Sequence, residues 1–155
     1  MKFPVWDHHT RAMPWFHSYD PKTNTIFVMA YGVLTDEELV AGAEDLRRDP
    51  DDRADARRFG DYSAVDEFRV SARTAKALFS TERIGRLRGR HALLAFGPSG
   101  VSDFETHIRT VLGDRMRIFC RRSEALAWLN EGVPAEQAIT EQSSWWLLQH
   151  RRKLV

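Results

Sequence analysis

"TIFVMAYGVLTDEELVAGAEDLRRDP", residues 25–50, holds a strand, a turn and the helix that follows. Thr25 to Tyr31 are mostly β-branched or aromatic, which suits a pleated, half-buried segment. After Thr35 the period changes. Leu39, Ala43 and Leu46 fall on one face of a helical repeat. Thr35 and Glu38 have the spacing of a capping box, in which each side chain satisfies the other's backbone N–H. Asp36, Glu37 and Glu38 suit the positive end of the helix, and Arg47 and Arg48 suit its negative end. Pro50 stops it. A strand joined to an amphipathic helix is one β-α unit, and its repetition decides the fold class.

The unit repeats. Upstream, Trp15 to Tyr19 form a strand and "DPKTN" supplies turn residues, so a hairpin precedes the first helix. Downstream, Arg57 to Tyr62 predict a short strand that leaves through an acidic turn, with Ser63 in the loop. Ser71 then caps a helix running to about Ile84, whose apolar face is Ala75, Leu78 and Phe79. "RHALLAFG" is a continuous apolar run, which fits a strand covered on both faces. Ser102 and Glu105 have capping-box spacing before a stripe of Phe104, Ile108, Val111 and Leu112, and Gly113 ends that helix. "RMRIFC" is a further strand, and Ser123 caps "EALAWLNEG". The order β-β-α-β-α-β-α-β-α predicts an α/β fold with a mixed, mostly parallel sheet of four to five strands and flanking helices. Residues 1–13 read as an irregular arm, 14–132 as the domain and 133–155 as an amphipathic tail.

Composition bounds the class. The chain has 155 residues, 43% hydrophobic and 29% charged, which suits one domain with an ordinary core. No apolar run reaches the roughly 18 residues that span a bilayer. The N-terminus lacks the apolar centre of a signal peptide, and Cys120 is the one cysteine, so a cytoplasmic location is expected. The net charge of +1 is unevenly spread. Met1 to Phe68 carry 8 basic against 14 acidic residues, and Arg69 to Val155 carry 15 against 8. Such asymmetry suits either an anionic partner or the mutual attraction of two faces.

The segments "YGVLTDEEL", "GDYSAVDEF", "HALLAFG" and "RIFCRRSEALAWL", in this order, resemble the bacterial SpoIIAA-like, STAS-type domains. The resemblance covers Trp15 to Gly132. It implies a regulatory or binding module with no catalysis, no metal and no cofactor, working through a protein partner or a small ligand. It also implies dimers. In the anti-sigma-factor antagonists of that group, an Asp-Ser pair stands where the strand turn meets the helix, and the serine is phosphorylated. The matching serine here is Ser71, preceded by Val70, with Asp61 at the acidic position that closes the preceding strand. Phosphate on a capping serine would meet the helix dipole, and Arg69 and Arg73 are near in sequence. A cap alone also explains Ser71, and serine at that position is the commonest structural choice and needs no further role. The βα turns around Ser63, Ser71, Ser99 and Gly100 are the expected contact surface.

Other groups admit two readings each. Ser99 in "FGPSGVS" sits between a strand and a helix, the context of a serine nucleophile. Gly97-Pro98-Ser99-Gly100 is one residue short of the G-x-S-x-G elbow, so a small serine hydrolase is the remote alternative. A plain turn, or an anion held by backbone N–H groups, is the other. Asp7, His8 and His9 are metal-ligand types without a second cluster, and His17, His91 and His107 are scattered. Asp61, Asp66 and Glu67 suit an acid/base pair or a solvated turn. Cys120 reads as a packed thiol. Arg83, Arg86, Arg88 and Arg90 form a basic run without aromatic platforms or a nucleic-acid motif, so a nucleic-acid partner is not expected. Trp145, Trp146 and Leu148 in the tail suit a homodimer contact, or an interfacial helix end with Arg151, Arg152 and Lys153. Ala92 to Phe96, the Phe104–Leu112 stripe and the tail could instead line a pocket for a lipid-like ligand.

Overall fold

The computed structural model describes residues 15–78, 86–95 and 113–143. The described chain forms a mixed α/β fold around a five-stranded sheet of order β1-β2-β3-β4-β5. β1 (Trp15–Asp20) and β2 (Thr25–Thr35) are an antiparallel hairpin. β3 (Arg57–Arg69), β4 (His91–Leu94) and β5 (Met116–Phe119) follow, each parallel to its neighbour. Helices α1 (Asp36–Arg48), α2 (Ala72–Leu78) and α3 (Arg122–Leu129) are described with them.

Local chemistry sets α1 as the sequence predicts. Thr35 Oγ1 accepts from the Glu38 N–H at 3.4 Å, and Glu38 Oε2 accepts from the Thr35 N–H at 3.1 Å. At the far end Asp49 is extended (φ −71°, ψ 126°), because Pro50 disfavours helical backbone in the residue before it.

Alternation along the strands makes two cores. Ile26, Val28 and Ala30 face α1 and α2, joining Trp15, Leu34, Leu39, Ala75 and Leu78. Phe27 and Met29 face the other way, with Phe59, Ala92, Leu94 and the α3 residues Ala125, Leu126, Trp128 and Leu129. β4 is therefore covered on both faces, as its apolar run predicts. The segment after α3 is stitched to the second core. Ile139 is buried there, its N–H and C=O both bonded to the Asn130 side chain.

β3 is longer than its sequence suggests, and irregular. Against β2, Met29 pairs with Asp61 and Tyr31 with Ala64; Gly32 pairs with Val65 and Val33 with Glu67. β3 thus carries one extra residue in each interval. Each extra residue reverses the alternation. That reversal is what lets Tyr62, Val65 and Phe68, three apart each time, all reach the first core.

Several expectations are corrected. Ser63 lies inside β3, not in a loop, and Asp66 and Glu67 continue that strand rather than forming a turn. Only pairing with the extended half of β2, out to Thr35 opposite Arg69, makes this polar stretch a strand. Ser123 is inside α3; Arg121 holds the cap position and makes no side-chain cap bond. Cys120, just past β5, is exposed. Residues 1–13, Phe79 to Ile84, Ser99, Gly100, the Ser102–Leu112 stripe and the tail residues Trp145, Trp146 and Leu148 lie outside the described residues.

Candidate functional site

Asp61 is 1% exposed in the middle of the sheet. Its register neighbours, Met29 on β2 and Leu94 on β4, are apolar and buried. A carboxylate there costs several kcal/mol unless it is paired and hydrogen-bonded. Two elements supply the partners. The first bulge lies next to Asp61 and turns Ser63 toward it. The Ser63 N–H and Oγ donate to Asp61 Oδ1 at 3.0 and 2.5 Å. From the other side Arg122, the first residue of α3, donates from Nη2 to Asp61 Oδ2 at 2.8 Å. Its guanidinium carbon lies 5.6 Å from the Phe59 ring centroid, so the cation is seated on an aromatic face as well.

An arginine in the first turn of a helix opposes the helix dipole. Asp61 offsets that cost. The fork is only partly used, since Arg122 Nη1 is buried and has no hydrogen-bond partner in the protein. Arg122 Nη1 is thus enclosed without a bond, and the outer part of the cluster is the part-exposed Ser63 and Arg122 side chains. Both are fixed by one buried carboxylate on the α3 side of the sheet.

The other proposed contact residues lie around the start of α2. Ser71 Oγ accepts from the Thr74 N–H at 3.2 Å, so Ser71 caps α2. The Ser71 N–H donates to Asp36 Oδ1 at 2.7 Å. That bond, with the Ser71 and Thr74 hydroxyls, holds the Asp36 carboxyl below its usual range. Arg69 Nε pairs with Glu67 at 2.7 Å, and Arg73 is exposed. A phosphate on Ser71 would thus meet the Asp36 carboxylate at close range, with Arg69 already engaged. The structure joins Asp61 to Ser63; Ser71 belongs to a separate group with Asp36.

Sequence reasoning missed Arg122. Its signal was legible: an arginine at the positive end of a predicted helix calls for a nearby carboxylate. It also missed Arg57, whose guanidinium is buried among carbonyls. Arg57 donates to Thr23 O (2.6 Å), Gln137 O (2.5 Å), Leu129 O (3.0 Å) and Asn130 Oδ1 (3.0 Å). Desolvation lowers its pKa, yet these acceptors tie the β1–β2 turn, the end of α3 and residues 134–140 to β3. Among the described residues, no group of three His, Cys, Asp or Glu could hold a metal ion, and no helix is long and apolar enough to cross a membrane.

No protein-family model matches the chain, and no curated protein matches it. Among solved structures, the chain is similar to an uncharacterised protein from Shewanella loihica PV-4. That protein is described as a member of the DUF3478 family with a SpoIIAA-like fold. The identity is 17%, the TM-score 0.48, and the match covers 74% of this chain and 93% of that one.

Proposed function

We propose that this chain is a non-enzymatic regulatory or binding module that recognises a protein partner, and that the Asp61–Ser63–Arg122 cluster is the centre of the contact. The reading is supported by the sequence segments that resemble STAS-type domains. The single observation that carries it is the buried Asp61–Arg122 pair, which fixes two part-exposed side chains, Ser63 and Arg122, at one place. Ser63 and Arg122 are each part-exposed, so a partner's backbone or side-chain amide meets their outer atoms while the buried carboxylate holds both in place. The location we propose is the cytoplasm, and the assembly a homodimer.

Arg122→Lys tests the contact. Lysine keeps the charge for Asp61 but loses the planar fork and its second arm. The variant is expected to fold normally and to release a partner that the wild-type protein captures and that has been identified by mass. Equal capture by a folded Arg122→Lys protein would overturn the proposal. Light scattering tests the assembly, which should weigh about twice the 17.9 kDa chain. Phosphorylation of Ser71 is tested by labelling with a cognate kinase, which Ser71→Ala should abolish.

A further inference from the structure

β5 is the last strand of the sheet, and among the described residues it pairs with β4 alone. The register between them is unbroken, from His91 opposite Met116 to Leu94 opposite Phe119. The Ala95 N–H donates to the Phe119 carbonyl at 3.0 Å, so Phe119 turns its peptide groups toward β4. Successive residues of a strand turn theirs to opposite sides, so the N–H and C=O of Ile118 point away from the sheet. Side chains flank that edge on both faces. Ile118 is half-buried against the first core and Phe119 against the second. Arg117 is exposed on the α3 face, its guanidinium carbon 5.5 Å from the centroid of the Trp128 ring.

This edge is basic. From Asp114 to Arg122 stand four arginines and one aspartate. Asp61 answers Arg122, and Glu124 lies 3.7 Å from Arg121. Arg115 donates to the Leu87 carbonyl, and Arg117 has no carboxylate partner among the described residues. The neighbouring strand adds no countercharge. Burial, with Arg58 and Arg115 nearby, pushes the His91 pKa down to about 3, so that ring is neutral. Two β5 edges paired together would bring Arg115, Arg117 and Arg121 of both copies close, and like charges across a strand pair are destabilising. A second copy of the chain therefore does not fit this edge.

We propose that the outer edge of β5 docks an extended acidic segment of a protein partner, which adds as a further strand of the sheet. The outward N–H and C=O of Ile118 hold its backbone. Side chains of an added strand alternate between the two faces. Carboxylates at every second position meet Arg117 on the α3 face, and apolar side chains between them meet Ile118 on the other. The same arginines that repel a second copy thus select an acidic strand. Exposed Arg121 and half-buried Arg115 flank the edge and attract such a segment from solution. The edge lies two strands away from Asp61 on β3 and needs nothing from that cluster.

The test is fluorescence anisotropy of the full chain with a labelled peptide of about six residues that alternates glutamate and valine. Binding is expected, weaker at higher salt, with slowed hydrogen exchange at the Ile118 amide. Arg117→Glu turns attraction into repulsion at an exposed position and should weaken binding about tenfold. Arg117→Gln, with a smaller loss, serves if that variant fails to fold. Peptides with lysine for glutamate, or with proline for valine, should not bind, since the first reverses the charge and the second breaks strand pairing. No binding of the glutamate peptide, or binding that the Arg117 variants leave unchanged, would overturn the proposal. Equal binding of the proline peptide would mark a surface for anions at large and would overturn strand addition.

Discussion

Asp61 and Arg122 each occupy a position that is unfavourable for them alone. The carboxylate is buried between Met29 and Leu94, and the cation stands at the positive end of α3. Together they offset one another, so removing one charge should cost more than the pair contributes. Asp61→Asn leaves Arg122 four-fifths buried without its countercharge, and we expect about 3 kcal/mol of destabilisation, the low end for a broken buried pair. Arg122→Lys should cost less than about 1 kcal/mol, since the pair survives. Urea unfolding of both variants checks the ratio. His91 gives a pH dependence. Its folded pKa, about 3, is far below the ordinary 6.5, so below pH 6.5 the unfolded chain binds more protons. Stability contributed by the neutral ring is complete above pH 6.5 and lost as pH falls toward 3. Between pH 6.5 and 5 this loss can reach about 2 kcal/mol, from 1.36 kcal/mol per unit. His91→Phe should flatten that part of the stability profile if the slope belongs to this residue. An unchanged slope would assign it to another group.

At the scale of elements, what a residue does to its own neighbours is legible and what a distant strand does to it is not. The capping box of α1 involves Thr35 and Glu38 alone, and the structure holds it as the spacing predicts. Thr35→Ala should cost about 1 kcal/mol, read as a midpoint about 2–4 °C lower. "SAVDEF" looks like a turn because it is polar and lacks steady alternation. It is a strand because β2 runs beside it to Thr35, and its two bulges break the alternation that would have announced it. Ser123 shows the converse error. A serine before an apolar run reads as a cap, yet α3 begins at Arg122, where the pair with Asp61 fixes the first turn. Two of the three cluster residues were therefore visible. Asp61 and Ser63 stand two apart and were singled out, although Ser63 was placed in the wrong element. Arg122 lies 61 residues further along, and only the packing of α3 on the sheet brings it in.

Across the whole molecule, one sheet separates two cores, and every described strand step moves to the next neighbour without reversal. Among the described strands an order without reversal makes no switch-point crevice. That directs attention to polar groups built into the sheet itself. Close seating of the layers is a consequence that can be measured. A Cβ on Gly42 would stand 2.5 Å from the Trp15 ring, and one on Gly89 would strike the Ala56 carbonyl. We expect Gly42→Ala to cost about 2 kcal/mol and Gly89→Ala about 3 kcal/mol or more, because backbone yields less than a side chain. Calorimetry of the two proteins checks the order. The layered architecture was legible from helix caps and apolar runs. The buried cations Arg57 and Arg122 were not, since their acceptors come from segments remote in sequence. Hydrogen exchange of the protein with and without its captured partner tests the account most directly. Slowed exchange at Asp61 to Ser63 and at Phe119 to Ser123 is the predicted footprint. Protection that spares both stretches and falls on the opposite end of the sheet, around Arg86 to His91, would contradict it.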